Sequence, residues 1–163
     1  MLVEQRRWRS NKMKLVKVTK DNLNEVVSLK LEESQVGLVS ENVHSMAQAA
    51  VNRDYQPRAA VVEGQVVGFI MYSEWLNADW APIARPDEYY IFRVMVDRSH
   101  QGKGFGRMMM KCVLEEIQSK SPKAIHIGYC EENNVARNFY QSLGFVEYGH
   151  FDWGDIAAKI DFK

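Results

Sequence analysis

The chain has 163 residues, and its 21 Lys and Arg balance 21 Asp and Glu, so the formal net charge is zero. This length fits one globular domain with its own core and excludes two domains of full size. The charge balance excludes a protein that coats nucleic acid or an acidic membrane, because those roles need a clear excess of Lys and Arg. Any charged partner must therefore meet a local patch.

The chain ends and the two cysteines bear on location and metal binding. No apolar run approaches the about 18 residues of a membrane span, and no apolar segment follows the basic N-terminus as in a signal peptide. We therefore expect a cytoplasmic protein with no membrane or nucleic-acid partner, in which residues 1–12 are a loose leader and residues 13–163 a single domain. Cys112 and Cys130 lack Cys or His neighbours at metal-ligand spacing, so we expect buried thiols and no metal site.

The periodicity of apolar residues predicts alternating strands and helices. Strands are expected over residues 13–18, 58–63, 65–75, 89–96, 124–129, 145–150 and 156–162. Helices are expected from a cap at Thr19 or Asp21 to Leu31, from a cap at Ser40 to Val51, over residues 104–120 and over residues 134–143. Glu63-Gly64-Gln65 is typical of a tight hairpin, and residues 76–88 are expected to form a loop. The order β-α-α-β-β-β-α-β-α-β-β predicts an α/β domain with a mixed sheet.

A glycine-rich segment separates a predicted buried strand from the longest predicted helix. It reads Gln101-Gly102-Lys103-Gly104-Phe105-Gly106-Arg107. Such a turn gathers unpaired backbone N–H groups at the positive end of a helix dipole, which favours phosphate. The spacing is neither GxxxxGK[ST] nor GxGxxG, which disfavours an ordinary ATPase or a Rossmann enzyme. The alternative is a turn that binds nothing, but the flanking Lys103 and Arg107 add charge that a simple turn does not need.

Two motifs together resemble the GNAT superfamily of acetyl-CoA-dependent N-acetyltransferases. The pyrophosphate-loop pattern [QR]-x-x-G-x-[GA] is matched by Gln101, Gly104 and Gly106. The pattern N-x-x-A-x-x-[FL]-Y-x-x-x-G-F is matched by Asn133, Ala136, Phe139, Tyr140, Gly144 and Phe145. The resemblance covers residues 13–163 and implies a mixed, mostly antiparallel twisted sheet of about seven strands with about four helices.

The resemblance also implies roles for individual residues. The coenzyme would be held by backbone groups of Met95 and Val96, by the loop residues Gln101, Gly102, Lys103, Gly104, Phe105, Gly106 and Arg107, and by Asn133, Ala136 and Tyr140. Tyr140 would be the general acid toward the leaving sulfur, although core packing alone would also explain an aromatic residue there. Asn133 could equally be the N-cap of a helix. Acetyl-CoA is the implied co-substrate, with no metal.

A closer resemblance is to the branch of bacterial diamine and polyamine (spermine/spermidine) N-acetyltransferases. It rests on residues 29–35, 39–42, 63–72 and 129–145, whereas Phe92 stands where that branch has an acidic residue. A primary ammonium must lose its proton before it can attack, so a carboxylate is needed, and Glu74 is preferred to Glu88 as the base. Other expected acceptor-site residues are Glu33, Glu41 and Tyr72.

Several alternatives stay open. The acceptor of the acetyl group could be a protein N-terminus or lysine, an amino acid or an aminoglycoside, or the protein could be a non-catalytic acyl-CoA sensor. A covalent route through Cys130 is disfavoured because no His or Asp is placed to activate the thiol. By analogy with similar families, a homodimer could form through the closing hairpin, with Phe151 and Trp153 as exposed contacts.

Overall fold

The structure is a computed structural model that describes residues 12–37, 40–76 and 83–163. The predicted leader, residues 1–12, lies outside the described residues except for Lys12. Within the described ranges no helix combines the length and the apolar character that a membrane span needs.

The described residues form seven strands and four α-helices. The strands are β1 Lys14–Lys17, β2 Tyr55–Val62, β3 Gln65–Trp75, β4 Arg85–Val96, β5 Ala124–Tyr129, β6 Val146–His150 and β7 Ile156–Asp161. The helices are α1 Leu23–Ser28, α2 Asn42–Val51, α3 Phe105–Gln118 and α4 Asn134–Ser142, with short 3-10 turns at Glu33–Gln35 and Arg98–His100. This order confirms the predicted succession of elements.

The strands form one sheet in the order β1-β2-β3-β4-β5-β7-β6. The pairs β1/β2, β5/β7 and β6/β7 are antiparallel, and β4/β5 is parallel. The mixed, mostly antiparallel sheet expected from the family resemblance is therefore confirmed. The chain groups into two compact units, Met1–Met71 with Arg93–Glu116 and Tyr72–Phe92 with Ile117–Lys163, and a single domain over residues 13–163 stays a prediction.

In the first unit, α3 packs closely on β3 because Gly68 has no side chain. A Cβ at Gly68 would lie 2.8 Å from the carbonyl oxygen of Met95 and 3.1 Å from the sulfur of Met109. The predicted apolar stripe of α3 is confirmed, since Met110, Val113, Leu114 and Ile117 are all buried. Arg93, the charge in the apolar part of β4, donates to Ser45 Oγ and Gln48 Oε1 on α2, each at 3.0 Å.

In the second unit, α4 and the β6–β7 hairpin follow β5. Helix α4 ends at Ser142, and Gly144 has a φ of 97°, the left-handed conformation expected of the residue after a helix C-cap. Trp75, Tyr90, Phe151 and Ala157 form an apolar cluster. The prediction that Phe151 is exposed is wrong, because its ring is buried and would lie 3.1 Å from a Cβ at Gly128, while Trp153 is exposed as expected.

Several predicted boundaries need correction. Helix α1 begins after Asn22, not at a cap formed by Thr19 or Asp21, because the Asn22 side chain accepts from the Thr19 N–H at 2.8 Å. It ends at Ser28, before Leu31, and Glu41 rather than Ser40 occupies the N-cap position of α2.

Of the loop predicted over residues 76–88, residues 77–82 lie outside the described residues, and β4 already begins at Arg85, before the expected end of the loop. Its parallel ladder with β5 pairs Glu88 with Ala124 through Ile91 with Ile127. The Glu63-Gly64 turn is confirmed, with φ values of 50° and 78° that suit a two-residue hairpin.

Candidate active site

The end of β4 is fixed by the carboxylate of Asp97. Its Oδ1 accepts from the Lys30 N–H at 2.8 Å, and its Oδ2 accepts from the Ser99 N–H at 3.1 Å and from the Ser99 hydroxyl. Burial opposes ionisation of Asp97, but these hydrogen bonds outweigh it and lower the pKa of the carboxyl group. The chain thus enters the glycine-rich loop from a rigid turn.

The loop itself has the backbone conformation that only glycine adopts without strain. Gly102 and Gly104 have φ values of 74° and 81°, and a Cβ at either would meet nothing within 4 Å. These glycines are therefore needed for backbone conformation rather than for space. Helix α3 begins directly afterwards, and Lys103 and Arg107 are exposed beside its first turn. The loop has the amides, dipole and positive charge that a pyrophosphate needs.

The side chain of Gln101 is committed to protein contacts. Its Nε2 donates to Oε1 of Gln35 at 2.8 Å and to the carbonyl oxygen of Val96 at 3.0 Å. Met95 is buried and Val96 is half-buried. The Gln101 amide therefore holds the loop in shape, and sequence reasoning missed Gln35 as its partner.

Asn133, the first residue of the second motif, caps helix α4. Oδ1 of Asn133 accepts from the Ala136 N–H at 3.1 Å. This geometry is that of an N-cap, one of the two roles that the sequence predicts for Asn133. The capped helix carries Tyr140 on its last turns.

Tyr140 is half-buried among aromatic rings. Its ring stacks on Tyr129 with centroids 5.6 Å apart and an interplanar angle of 20°, and it meets Phe139 at 5.2 Å and Phe145 at 6.0 Å. Burial, followed by the neighbouring Tyr129, raises the pKa of Tyr140. The phenol therefore carries its proton at neutral pH, as a proton donor must.

A hydrogen-bonded pair holds Tyr129. Its hydroxyl donates to Oε1 of Glu147 at 2.8 Å, and Nε of Arg137 donates to the same oxygen at 2.8 Å. Burial and the bond to Glu147 raise the pKa of Tyr129 to about 12, while the two donors lower the pKa of Glu147. Nothing in the sequence motifs pointed to Glu147, since the pairing of β6 with β7 brings it here.

The two candidate bases have different surroundings. Glu74 is partly exposed, and its Oε1 accepts from the Asp87 N–H at 2.9 Å. Glu88 contacts Nε2 of buried His126 at 2.5 Å and lies 3.8 Å from Arg85. Glu88 is therefore engaged in a polar cluster with His126 and Arg85, which leaves Glu74 as the better candidate.

His126 lies at the centre of that cluster. It is 1% exposed, and its Nδ1 lies 2.7 Å from the hydroxyl of Tyr148. Burial lowers the pKa of His126 and outweighs the opposing effect of Glu88. The parallel register, which only the structure shows, sets Tyr90 beside His126 and so puts Glu88, two residues before Tyr90, on the same face.

The remaining acceptor-site candidates lie in both units. In the first unit, Glu33 begins an exposed 3-10 turn and Glu41 is exposed at the N-cap position of α2. In the second unit, Tyr72 is fully buried with its ring 6.3 Å from that of Tyr89. Its ring therefore offers no exposed face to a cation in this structure.

The thiols are less buried than expected. Cys130 is exposed and Cys112 is half-buried, so the prediction of two buried thiols is wrong. Cys130 donates to Oε2 of Glu132 at 2.8 Å, and this bond raises the pKa of the thiol. A thiol held in its protonated form is a poor nucleophile. In the described part of the chain, no group of three or more His, Cys, Asp and Glu is placed to hold a metal ion.

Comparison with known proteins agrees with these features. The profile of the acetyltransferase (GNAT) family matches residues 23–145. The chain belongs to the GNAT family. It is accordingly an acetyl-CoA-dependent N-acetyltransferase, and the glycine-rich loop fits the pyrophosphate of that coenzyme.

Relatives and solved structures extend the likeness over most of the chain. The spermine/spermidine N(1)-acetyltransferase of Bacillus subtilis strain 168 is 27% identical over 144 residues, which are 88% of this chain and 93% of that protein. A structure of AAC(6')-Ib with paromomycin and acetyl-CoA has a TM-score of 0.77 at 16% identity and covers 92% of this chain and 93% of its own. A structure of the PaiA N-acetyltransferase of Thermoplasma acidophilum with coenzyme A has a TM-score of 0.67 at 14% identity. The match covers 92% of this chain and 99% of that chain. The structural likenesses support the fold.

Proposed function

We propose that the protein transfers the acetyl group of acetyl-CoA to a primary amine of a small diamine or polyamine, by direct attack with both substrates bound. The observation that carries the proposal is the 27% identity to the Bacillus subtilis spermine/spermidine N(1)-acetyltransferase over most of both chains. The exposed carboxylates of Glu33 and Glu41 in the first unit agree with it, because an acceptor with several ammonium groups needs more than one anionic contact.

In this proposal the first unit holds the coenzyme. The amides of the glycine-rich loop and the first turn of α3 bind the pyrophosphate, and Lys103 and Arg107 add two positive charges. Backbone groups of Met95 and Val96 orient the pantetheine arm. Since the Val96 carbonyl already accepts from Gln101, the N–H groups of this stretch are the better candidates for contact with the thioester. Gln101 acts by shaping the loop.

Two proton transfers fall to residues of the second unit. Glu74 takes a proton from the acceptor ammonium, directly or through water, so that the amine nitrogen can attack the thioester carbonyl carbon. The carbon–sulfur bond then breaks and the Tyr140 hydroxyl gives its proton to the departing sulfur. The nitrogen of the new amide loses its second proton, which returns through water to the Tyr140 phenolate. Asn133 and Ala136 act through the cap that positions the helix carrying Tyr140.

The test is the release of coenzyme A from acetyl-CoA, followed with a thiol reagent. The acceptors are spermine, spermidine, putrescine, free amino acids, an aminoglycoside and a lysine peptide. We expect rapid release with the polyamines and slow release with the others. Activity confined to another acceptor would replace the polyamine by that amine, and coenzyme binding without activity on any acceptor would favour an acyl-CoA sensor.

Substitutions then test the acceptor site. Glu33→Gln, Glu41→Gln and Glu74→Gln are each expected to raise KM for spermidine more than KM for acetyl-CoA. Glu74→Gln should also lower kcat, because it removes the proposed base. Glu115→Gln is the matched control, because Glu115 is an exposed carboxylate on α3 with no role in the proposal. If all three variants keep both constants, the acceptor binds elsewhere.

We also propose a homodimer through the closing hairpin. All five residues of β6 are exposed, and β6 lies at one edge of the sheet. The unpaired backbone groups of an edge strand can pair with a strand from a second chain. Light scattering tests the mass in solution, and Val146→Lys, at a residue 68% exposed on that strand, should favour the monomer. A monomeric parent protein would refute this part of the proposal.

A further inference from the structure

The stacked tyrosines differ in what their hydroxyl groups do. The Tyr129 hydroxyl is committed to Glu147 at 2.8 Å. In the described part of the chain no hydrogen bond engages the hydroxyl of Tyr140. One phenol is therefore tethered, and the other keeps its donor for a further partner.

The ring of Tyr140 takes its orientation from its aromatic neighbours. Phe139 precedes it in α4, and Phe145 follows shortly after the helix, so both move with the same segment. Tyr129 comes instead from the end of β5, and its ring is nearly parallel to that of Tyr140, at 20° and 5.6 Å. Tyr129 is thus a contact through which the sheet can fix the Tyr140 ring.

The tether of Tyr129 also returns to the helix that carries Tyr140. Glu147 lies on β6, and the oxygen that accepts from Tyr129 also accepts from Nε of Arg137 on α4. Arg137 donates in addition to Oδ1 of Asn134 at 3.3 Å, within the first turn of the same helix. Glu147 on β6 thus links Tyr129 on β5 to Arg137 on α4, the helix that carries Tyr140. These hydrogen bonds hold the two stacked tyrosines relative to each other.

We propose that Tyr129, tethered through its hydroxyl to Glu147, is a positioning residue that holds the Tyr140 phenol in one orientation and leaves its hydroxyl for the departing sulfur. This inference rests on the proposed role of Tyr140 as the proton donor. It assigns to Tyr129 no contact with either substrate. Its effect on turnover must therefore pass through Tyr140.

The first test is a double-mutant cycle in the full chain, with acetyl-CoA and spermidine as substrates. Tyr129→Leu removes the stacked ring and is expected to lower kcat by about tenfold, with KM for acetyl-CoA unchanged within about twofold. Tyr129→Phe keeps the ring and should restore most of that loss. In the Tyr140→Phe background, adding Tyr129→Leu should lower kcat by less than about twofold more, because the hydroxyl that Tyr129 positions is already gone.

The outcomes separate the two proposals. If Tyr140→Phe lowers kcat but Tyr129→Leu costs the same in both backgrounds, Tyr129 acts only on stability and the positioning role is refuted. If Tyr140→Phe leaves kcat unchanged, the proton-donor role fails and the positioning role fails with it. Circular dichroism of each variant identifies a loss of folding, in which case Tyr129→Phe and Glu147→Gln, both expected to lower kcat modestly, replace Tyr129→Leu in the cycle.

A second measurement does not depend on the acceptor. Absorbance at 295 nm follows the ionisation of tyrosine during an alkaline titration. Removing the Tyr129 ring exposes Tyr140 to water and should bring its pKa down toward the ordinary value of about 10. Below about pH 11, the Tyr129→Leu variant should then contain one more ionised tyrosine per molecule than the Tyr129→Leu/Tyr140→Phe variant. Identical titrations of the two variants would show that Tyr129 does not cover Tyr140, which overturns the inference.

Discussion

The side-chain amide of Gln101 donates to Oε1 of Gln35 at 2.8 Å and to the carbonyl oxygen of Val96 at 3.0 Å. One side chain thus joins the 3-10 turn Glu33–Gln35, the end of β4 and the glycine-rich loop. The Arg98 N–H adds another tie, since it donates to the carbonyl of Lys30 at 2.7 Å. The turn that carries a proposed acceptor ligand and the loop proposed to bind pyrophosphate are therefore held by the same hydrogen bonds.

We predict that Gln101→Leu weakens binding of coenzyme A. A hydrogen bond of this kind contributes about 1 kcal/mol, so a fivefold rise in Kd is expected when the loop loses its tether. Gln35→Leu should have a smaller effect, because Gln101 keeps its bond to Val96. Isothermal titration calorimetry with coenzyme A measures both.

Gln65→Leu is the control for these variants, because Gln65 is exposed at the start of β3. The double variant Gln35→Leu/Gln101→Leu should bind no worse than Gln101→Leu alone, since the Gln35 side chain acts through Gln101. Additive losses would mean that the two side chains act independently.

We predict opposite stability effects at two glycines of the loop. Gly104 has a φ of 81°, so Gly104→Ala should cost about 1 kcal/mol through left-handed strain and lower Tm by about 2–4 °C. Gly106 lies inside α3, where alanine is the better helix former, so Gly106→Ala should raise Tm by a similar amount. Differential scanning calorimetry compares the two, and equal shifts would contradict the helix boundary at Phe105.

We predict that Tyr140→Phe lowers kcat by about tenfold or more and leaves Kd for coenzyme A unchanged, because the lost hydroxyl acts only on the leaving sulfur. Tyr148→Phe is the matched control, since it removes a phenol hydroxyl that bonds His126 instead. Steady-state kinetics with the best acceptor of the panel checks both variants. Unchanged turnover in Tyr140→Phe would remove that residue from the mechanism.

The features that the sequence predicted correctly depend on residues close together in the chain. The apolar spacing of α3, the Glu63-Gly64 turn and the Gly144 terminus are local, and all agree with the structure. The predicted cap of α1 was wrong because Thr19, Asp21 and Asn22 all suit a cap. The choice among them depends on the hydrogen bond from the Thr19 N–H to the Asn22 side chain, which composition does not reveal.

The side-chain pairs of the site were beyond sequence reasoning. Gln35 with Gln101 and Tyr129 with Glu147 are far apart in the chain, and each needs the relative position of two elements. The exposure of Phe151 was misjudged for the same reason, since its ring packs against Gly128 on β5, where a Cβ would lie 3.1 Å from the ring. A motif can thus name Gln101 and Tyr140 without naming the residues that hold them.

The last prediction concerns acid stability and His126. Burial lowers the pKa of its imidazole in the folded protein, against the opposing effect of Glu88, and Arg85 and Lys159 lower it further. Between the lowered pKa and the ordinary value near 6.5 the unfolded chain therefore binds more protons than the folded one. The contribution of His126 to stability is present above about pH 6.5 and is lost as the pH falls below that value.

Urea unfolding between pH 7.5 and 5 should accordingly show a falling free energy of unfolding, with a shallower fall in His126→Gln. His44→Gln is the control, because His44 is exposed and should follow the parent protein. Replacing the buried imidazole also removes its contact with Tyr148, so the variant is expected to be less stable at every pH. The test is therefore the slope of the unfolding free energy against pH. Equal slopes for His126→Gln and the parent protein would mean that protonation of His126 does not drive the acid sensitivity.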